Sequence, residues 1–230
     1  MMLENYIRQK QQRIAEEQNS FYTPTGIHVF FQQPVEGVNA AAVISKVEEI
    51  VPHHILSEVE MIIFGWFQEF EERSLEAFFQ GGTLYISNMQ TDVEGLFENI
   101  VHEVAHAAEV AYGFDIYNDN KIQQEFLRKR EHLHDILWKS GFKFPKSFFT
   151  NIEYDKEFDD LLFQKIGYDK LNQYASGLFI SSYAATSLRE YFATAFTDFY
   201  TNSNHNFLKK VSPEAYNKIM LIQNPESLDF

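Results

Sequence analysis

The run His102-Glu103-Val104-Ala105-His106 constrains this chain more than any other feature, because an H-E-x-x-H sequence carries chemistry only when it is helical. At 3.6 residues per turn, positions i and i+4 lie one above the other, so two imidazoles can close on one metal ion with Glu103 beside them. The surrounding residues supply such a helix. From Asp92 to Tyr112, Val93, Leu96, Ile100, Val101, Val104, Ala105, Ala108 and Val110 form an apolar pattern at helical spacing, and Gly113 is placed to stop it. Zinc held by three protein ligands keeps a fourth position for water and lowers its pKa to about 7; the motif glutamate then takes the proton as that water attacks a carbonyl. The expected reaction is amide hydrolysis, with one zinc ion per chain.

Just upstream, Gly81-Gly82-Thr83-Leu84-Tyr85-Ile86-Ser87 alternates polar and apolar residues behind a glycine turn, the pattern of a half-buried or edge strand. An extended peptide can pair with such a free edge and lie across the metal. The third ligand must lie downstream. A metzincin would carry Gly at 109 and His at 112, where this chain has Glu109 and Tyr112, so that class is excluded. The best remaining residue is Glu190, in a second amphipathic pattern from Ser187 to Tyr200. Two readings of it compete. Ser187 and Glu190 have capping-box spacing, so Glu190 could close its own helix; a zinc site with two protein ligands would be incomplete, which favours the ligand.

The segment Tyr183-Ala184-Ala185-Thr186-Ser187-Leu188-Arg189-Glu190-Tyr191-Phe192-Ala193-Thr194-Ala195-Phe196 resembles the C-terminal signature of the anthrax lethal-factor-like zinc metallopeptidases, and especially of the small clostridial Pro-Pro endopeptidases. In that family a tyrosine precedes the ligand glutamate by seven residues and a Phe/Tyr-Phe-Ala-x-x-Phe run follows it. The resemblance implies that His102, His106 and Glu190 bind zinc, that Glu103 is the general base and then the acid, and that Tyr183 stabilises the oxyanion. It extends backwards over Ile27–Gln33 and Val59–Phe67 as strands and Gly37–Val51 as a helix, and forwards over Asn202–Gln223 as a final helix, about two thirds of the chain. The 83 residues between His106 and Glu190 exceed what the small members use, so 117–175 is expected to be a helical insertion. Thr194 stands where the family often has a second glutamate, and the partner of a zinc-bound histidine is left unidentified. The loop that grips proline in the Pro-Pro enzymes is not recognisable, so their specificity is not carried over.

The resulting expectation is an α+β, zincin-like domain: a small twisted sheet with the active-site helix, then a mostly helical C-terminal half. An N-terminal helix is expected over 1–20 and a single catalytic domain over 21–230. At 230 residues with 45% hydrophobic content, the chain can bury a substantial core, and its 23 phenylalanines make that core aromatic. There is no cysteine, which excludes disulfides and Cys-type zinc sites and leaves His and carboxylate as ligands. A net charge of −14 argues against nucleic acid as a partner. Lys121 to Lys146 nevertheless carries seven Lys/Arg against Glu125, Glu131 and Asp135, either a solvated helix face or a surface on the insertion that recognises acidic substrate segments or docks onto the acidic body of the same protein. The start lacks the apolar core of a signal peptide and no run reaches membrane-spanning length, so cytoplasmic synthesis without a membrane partner is the default expectation. The expected function is zinc-dependent endopeptidase action on a protein or peptide substrate. The alternative is a catalytically inactive module that keeps the zincin fold. Nothing in the sequence sets the oligomeric state.

Overall fold

A computed structural model describes residues 19–73 and 75–224. It is α+β, and the chain divides into two compact units, Met1–Ala111 and Tyr112–Phe230. The helix expected over 1–20 lies outside the described residues except at its end, where Ser20 opens a strand instead.

The first unit is organised around one mixed sheet of five strands in the order β1-β2-β3-β5-β4. Strands β1 (Ser20–Tyr22) and β2 (His28–Phe31) pair antiparallel. The chain crosses through helix α1 (Ala40–Ile50) to β3 (Met61–Gly65), which is parallel to β2, and passes α2 (Gln68–Arg73) to reach the hairpin of β4 (Ala77–Gln80) and β5 (Thr83–Ser87). That hairpin turns on Gly81 and Gly82, both with positive φ (56° and 79°), as a two-residue turn matched to the twist of the strands requires. Strand β5 lies parallel to β3 and leads into the long helix α3 (Val93–Tyr117).

Period-two alternation decides what each face of the sheet buries. Val29, Ile62, Phe64, Leu84 and Ile86 share one face by register and are fully buried. Each such side chain contributes about 1.5 to 3 kcal/mol by leaving water. Helix α1 adds Val43, Ile44 and Val47 at i, i+1 and i+4, and its N-terminus is capped by Asn39, whose side chain accepts from the Ala42 N–H at 3.1 Å. On the opposite face Phe78 stacks on Tyr85 (ring centroids 4.6 Å apart), while Phe67 meets both edge-on and Phe70 meets Phe67 and Phe78.

The expected strands at 27–33, 59–67 and 81–87 and the helix at 37–51 are present, each trimmed by a few residues. Three details differ. Strand β5 has no free edge: β3 pairs on one side and β4 on the other, so the edge is β4. The four residues of β4, two of them consecutive phenylalanines, are too short a run for alternation to register. Helix α3 does not stop at Gly113, which keeps a helical φ; the chain turns only after Tyr117, and Asn120 takes a left-handed φ of 59°. Glycine costs a helix interior about 1 kcal/mol, and beyond it Ile116 is fully buried while the Tyr117 ring packs near Phe192 (6.4 Å). The expected final helix over 202–223 is two helices, α8 (Asn206–Val211) and α9 (Pro213–Gln223), because Pro213 lacks the N–H that a continuous helix would need.

The described part of the second unit, after the end of α3, is helical. Helix α4 (Lys121–Lys139) buries Ile122, Phe126, Leu133 and Leu137 along one stripe. It is followed by α5 (Lys156–Asp160), a π-helical turn (Leu161–Ile166) ended by Gly167 at φ 86°, and α6 (Tyr168–Tyr174), then by α7 (Leu188–Thr201) and the two short terminal helices. Helices α4, α7 and α9 pack against one another. A buried carboxylate ties them together: Glu125 accepts from the Tyr191 hydroxyl at 2.7 Å and from the backbone N–H of Glu214 at 3.0 Å, so a helix N-terminus receives a negative charge. Burial and the neighbouring Glu125 charge both push the Tyr191 phenol well above its ordinary range. No described helix is long and apolar enough to cross a membrane.

The basic run is only partly a solvated face. Arg128 and Lys139 are exposed, but Arg130 is 1% exposed and Lys129 reaches inward to the carbonyls of Leu178 and Val211. Burial lowers the Lys129 pKa to about 8, against the opposing pull of Glu125.

Candidate metal centre

Helix α3 begins at Asp92, whose carboxylate accepts the Gly95 N–H at 2.7 Å and so closes the first turn. Leu96, Phe97, Ile100, Val101, Val104, Ala105, Ala107 and Ala108 are buried along it. That apolar stripe fixes the rotation of the helix. His102 and His106 lie at its border, half-buried, with ring centroids 5.1 Å apart and planes at 81°. Glu103, between them, is 7% exposed, a low figure for a carboxylate.

The orientation of His106 has an identifiable cause. Its Nδ1 lies 2.9 Å from Oε2 of Glu109, one turn further on, and the two side chains are only 12% and 6% exposed. A carboxylate can only accept, so Nδ1 carries the proton and the Nε2 lone pair is the one available to a metal. This is the histidine partner that the sequence left unidentified. Glu109 entered the sequence argument only as the residue that breaks the metzincin pattern, although its i+3 spacing from His106 was a usable signal.

Glu190 sits in the first turn of α7. Ser187 is the N-cap, and its hydroxyl accepts the Glu190 N–H at 3.1 Å, so this half of the capping box is formed. The bond uses the backbone of Glu190 and makes no claim on its carboxylate. Tyr183 opens a short 3₁₀ turn (Tyr183–Ala185) immediately before that cap and is half-buried. Next to it Ser182 is held by the Asn172 side chain at 2.5 Å.

Among the described residues, His102, His106 and Glu190 each offer one ligand atom, and these atoms all lie within 4.8 Å of one another. Two imidazoles and a carboxylate make a nitrogen and oxygen donor set suited to zinc in a three-ligand site. The structure does not group His132 and His134 as ligands: His134 turns its Nε2 to the Phe144 carbonyl (3.2 Å) and its ring against Phe149.

The edge of the sheet is tied to the same helix. Asn99, one turn before His102, donates to the Glu76 carboxylate at 3.1 Å, and Glu76 immediately precedes the edge strand β4. Comparison with protein-family models, with curated proteins and with solved structures finds no match to this chain.

Proposed function

We propose that the chain is a zinc-dependent endopeptidase with a zincin-like fold, related to the lethal-factor-like metallopeptidases that its sequence resembles. The observation that carries this reading is the convergence of ligand atoms from His102, His106 and Glu190 to within 4.8 Å, across 83 intervening residues between the last two. Spacing along a helix accounts for the histidine pair alone, and the Glu190 carboxylate supports the reading by supplying the third donor that such a site needs.

A zinc ion bound there supplies the Lewis acidity that makes water a competent nucleophile toward an amide carbonyl near neutral pH. The protein residues do the rest. Glu103 holds the proton taken from that water at its carboxylate and passes it to the leaving amine. Glu109 keeps His106 in the tautomer that presents Nε2. In the role the resemblance implies, Tyr183 donates its hydroxyl to the carbonyl oxygen as negative charge develops. Among the described residues β4 is an edge strand, whose outer side offers main-chain groups to an extended peptide, and the Glu76 to Asn99 contact holds the start of that strand beside the histidine helix.

Elemental analysis of protein purified without added metal, followed by exposure to a mixed peptide library, tests the reading. One zinc per chain and internal peptide cleavage are expected. Protein that holds no zinc either as purified or after reconstitution would remove it.

A further inference from the structure

Arg130 is a cation with 1% of its surface exposed, on a helix that the sequence assigns to an insertion. Its guanidinium lies over the Phe158 ring (3.9 Å to the centroid) and near Phe126. Burial alone lowers its pKa to about 9, with Asp155 opposing. A buried cation is tolerated only where polar groups replace its water, and the groups here are backbone carbonyls. One guanidinium nitrogen donates to the Ala185 carbonyl at 2.7 Å and to the Thr186 carbonyl at 3.2 Å; the other donates to Phe148.

Those two carbonyls stand between Tyr183 and the Ser187 cap of α7. Other parts of the same region hold the flanks: the Leu188 N–H donates to the Ile152 carbonyl at 2.8 Å, and the Ser182 hydroxyl bonds Asn172. The whole turn from Ser182 to Leu188 is therefore fixed by residues from 130 to 172. That turn carries Tyr183 at one end and delivers Glu190 at the other.

We propose that Arg130 is a positioning residue, which sets the turn bearing Tyr183 and Glu190 by holding the carbonyls of Ala185 and Thr186, and that this bracing is what the 117–175 region contributes to the metal centre. The proposal rests on the zinc-site reading given above. Arginine suits the place because its two terminal nitrogens donate from separate points, one to Ala185 and Thr186 and the other to Phe148, whereas a lysine ammonium would have to reach all three carbonyls from one point.

The test compares Arg130→Met and Arg130→Lys with Phe158→Leu, a change in the same buried layer that leaves the guanidinium bonds in place. Hydrogen exchange read by mass spectrometry should show amides 184–190 opening at least about tenfold more often in Arg130→Met, with α9 little changed. Chelator competition should show zinc affinity falling by at least about tenfold in the same protein. Arg130→Lys should recover part of both, and Phe158→Leu should leave zinc affinity within about twofold even where its melting temperature falls as far. If Arg130→Met is too unstable to purify, the lysine variant carries the comparison. Unchanged exchange in 184–190, or raised exchange with unchanged zinc affinity, overturns the proposal. Wild-type protein that takes up no zinc overturns the zinc reading instead, and the exchange comparison still decides whether Arg130 braces the turn.

Discussion

Oε2 of Glu109 sits 2.9 Å from Nδ1 of His106, one helical turn on along the same helix, with both side chains almost out of solvent. A metal-ligating histidine whose far nitrogen is held by a carboxylate is fixed in tautomer and ring orientation and is a stronger donor. Glu109→Ala removes that restraint and leaves all three ligands in place. Zinc affinity should fall roughly 10- to 100-fold with the far-ultraviolet circular dichroism unchanged. Affinity within about twofold of wild type in chelator competition would mean that the contact does not serve the metal.

Glu103 and Tyr183 should separate chemistry from metal binding. Glu103→Gln keeps the size of a nearly buried side chain but removes the proton acceptor, so zinc content should stay at one per chain while turnover falls roughly 10²- to 10⁴-fold. Tyr183→Phe should spare zinc affinity and KM and lower kcat about 10²-fold, as expected for a donor whose bond is made mainly in the transition state. Equal activity of Glu103→Gln and wild type would end the hydrolytic assignment.

Much of this arrangement was legible in the sequence because the relevant signals are local. The histidine pair needs only helical periodicity, and the Ser187 cap only its neighbours. Signals that depend on tertiary pairing were not legible. Strand β4 is the four residues A-F-F-Q, whose identity comes from pairing with β5, and so the sequence pattern points to β5 as the edge. Gly113 has the sequence of a helix stop, yet packing of Ile116 and Tyr117 beyond it carries α3 onward. Arg130 and Lys129 read as a solvated basic run because composition cannot show which face of α4 meets backbone carbonyls.

Lys129 predicts a pH dependence whose sign can be derived. Burial lowers its pKa to about 8, below the ordinary 10.5 of the unfolded chain. Between those values the unfolded chain binds a proton that the folded chain has released, so this group makes stability rise with pH. Below about pH 8 both states are charged and its cost is constant. Tyr200, pushed up to about 12 by burial, acts the other way above pH 10, but it is common to wild type and variant and cancels. Urea unfolding of wild type and Lys129→Met at pH 7 and pH 10 should therefore show wild type gaining relative to the variant at the higher pH. A constant or reversed difference would show that Lys129 keeps an ordinary pKa.

The capping and ligand readings of Glu190 predict different losses at two positions three residues apart, Ser187 and Glu190. The Ser187 hydroxyl accepts the Glu190 N–H at 3.1 Å, a bond to the backbone that survives any change in the Glu190 carboxylate. Ser187→Ala removes it and should cost about 0.5 to 2 kcal/mol of stability, with a small effect on zinc affinity. Glu190→Gln keeps that cap and the length of the side chain and removes only the charge. If the carboxylate completes the donor set with His102 and His106, zinc affinity should fall by more than the roughly 10- to 100-fold expected for loss of an outer partner such as Glu109, with less loss of stability than in Ser187→Ala. Thermal unfolding of the metal-free proteins and chelator competition on the same preparations measure both quantities. A Glu190→Gln protein that loses stability but binds zinc like wild type would show that the carboxylate belongs to the helix and not to the metal.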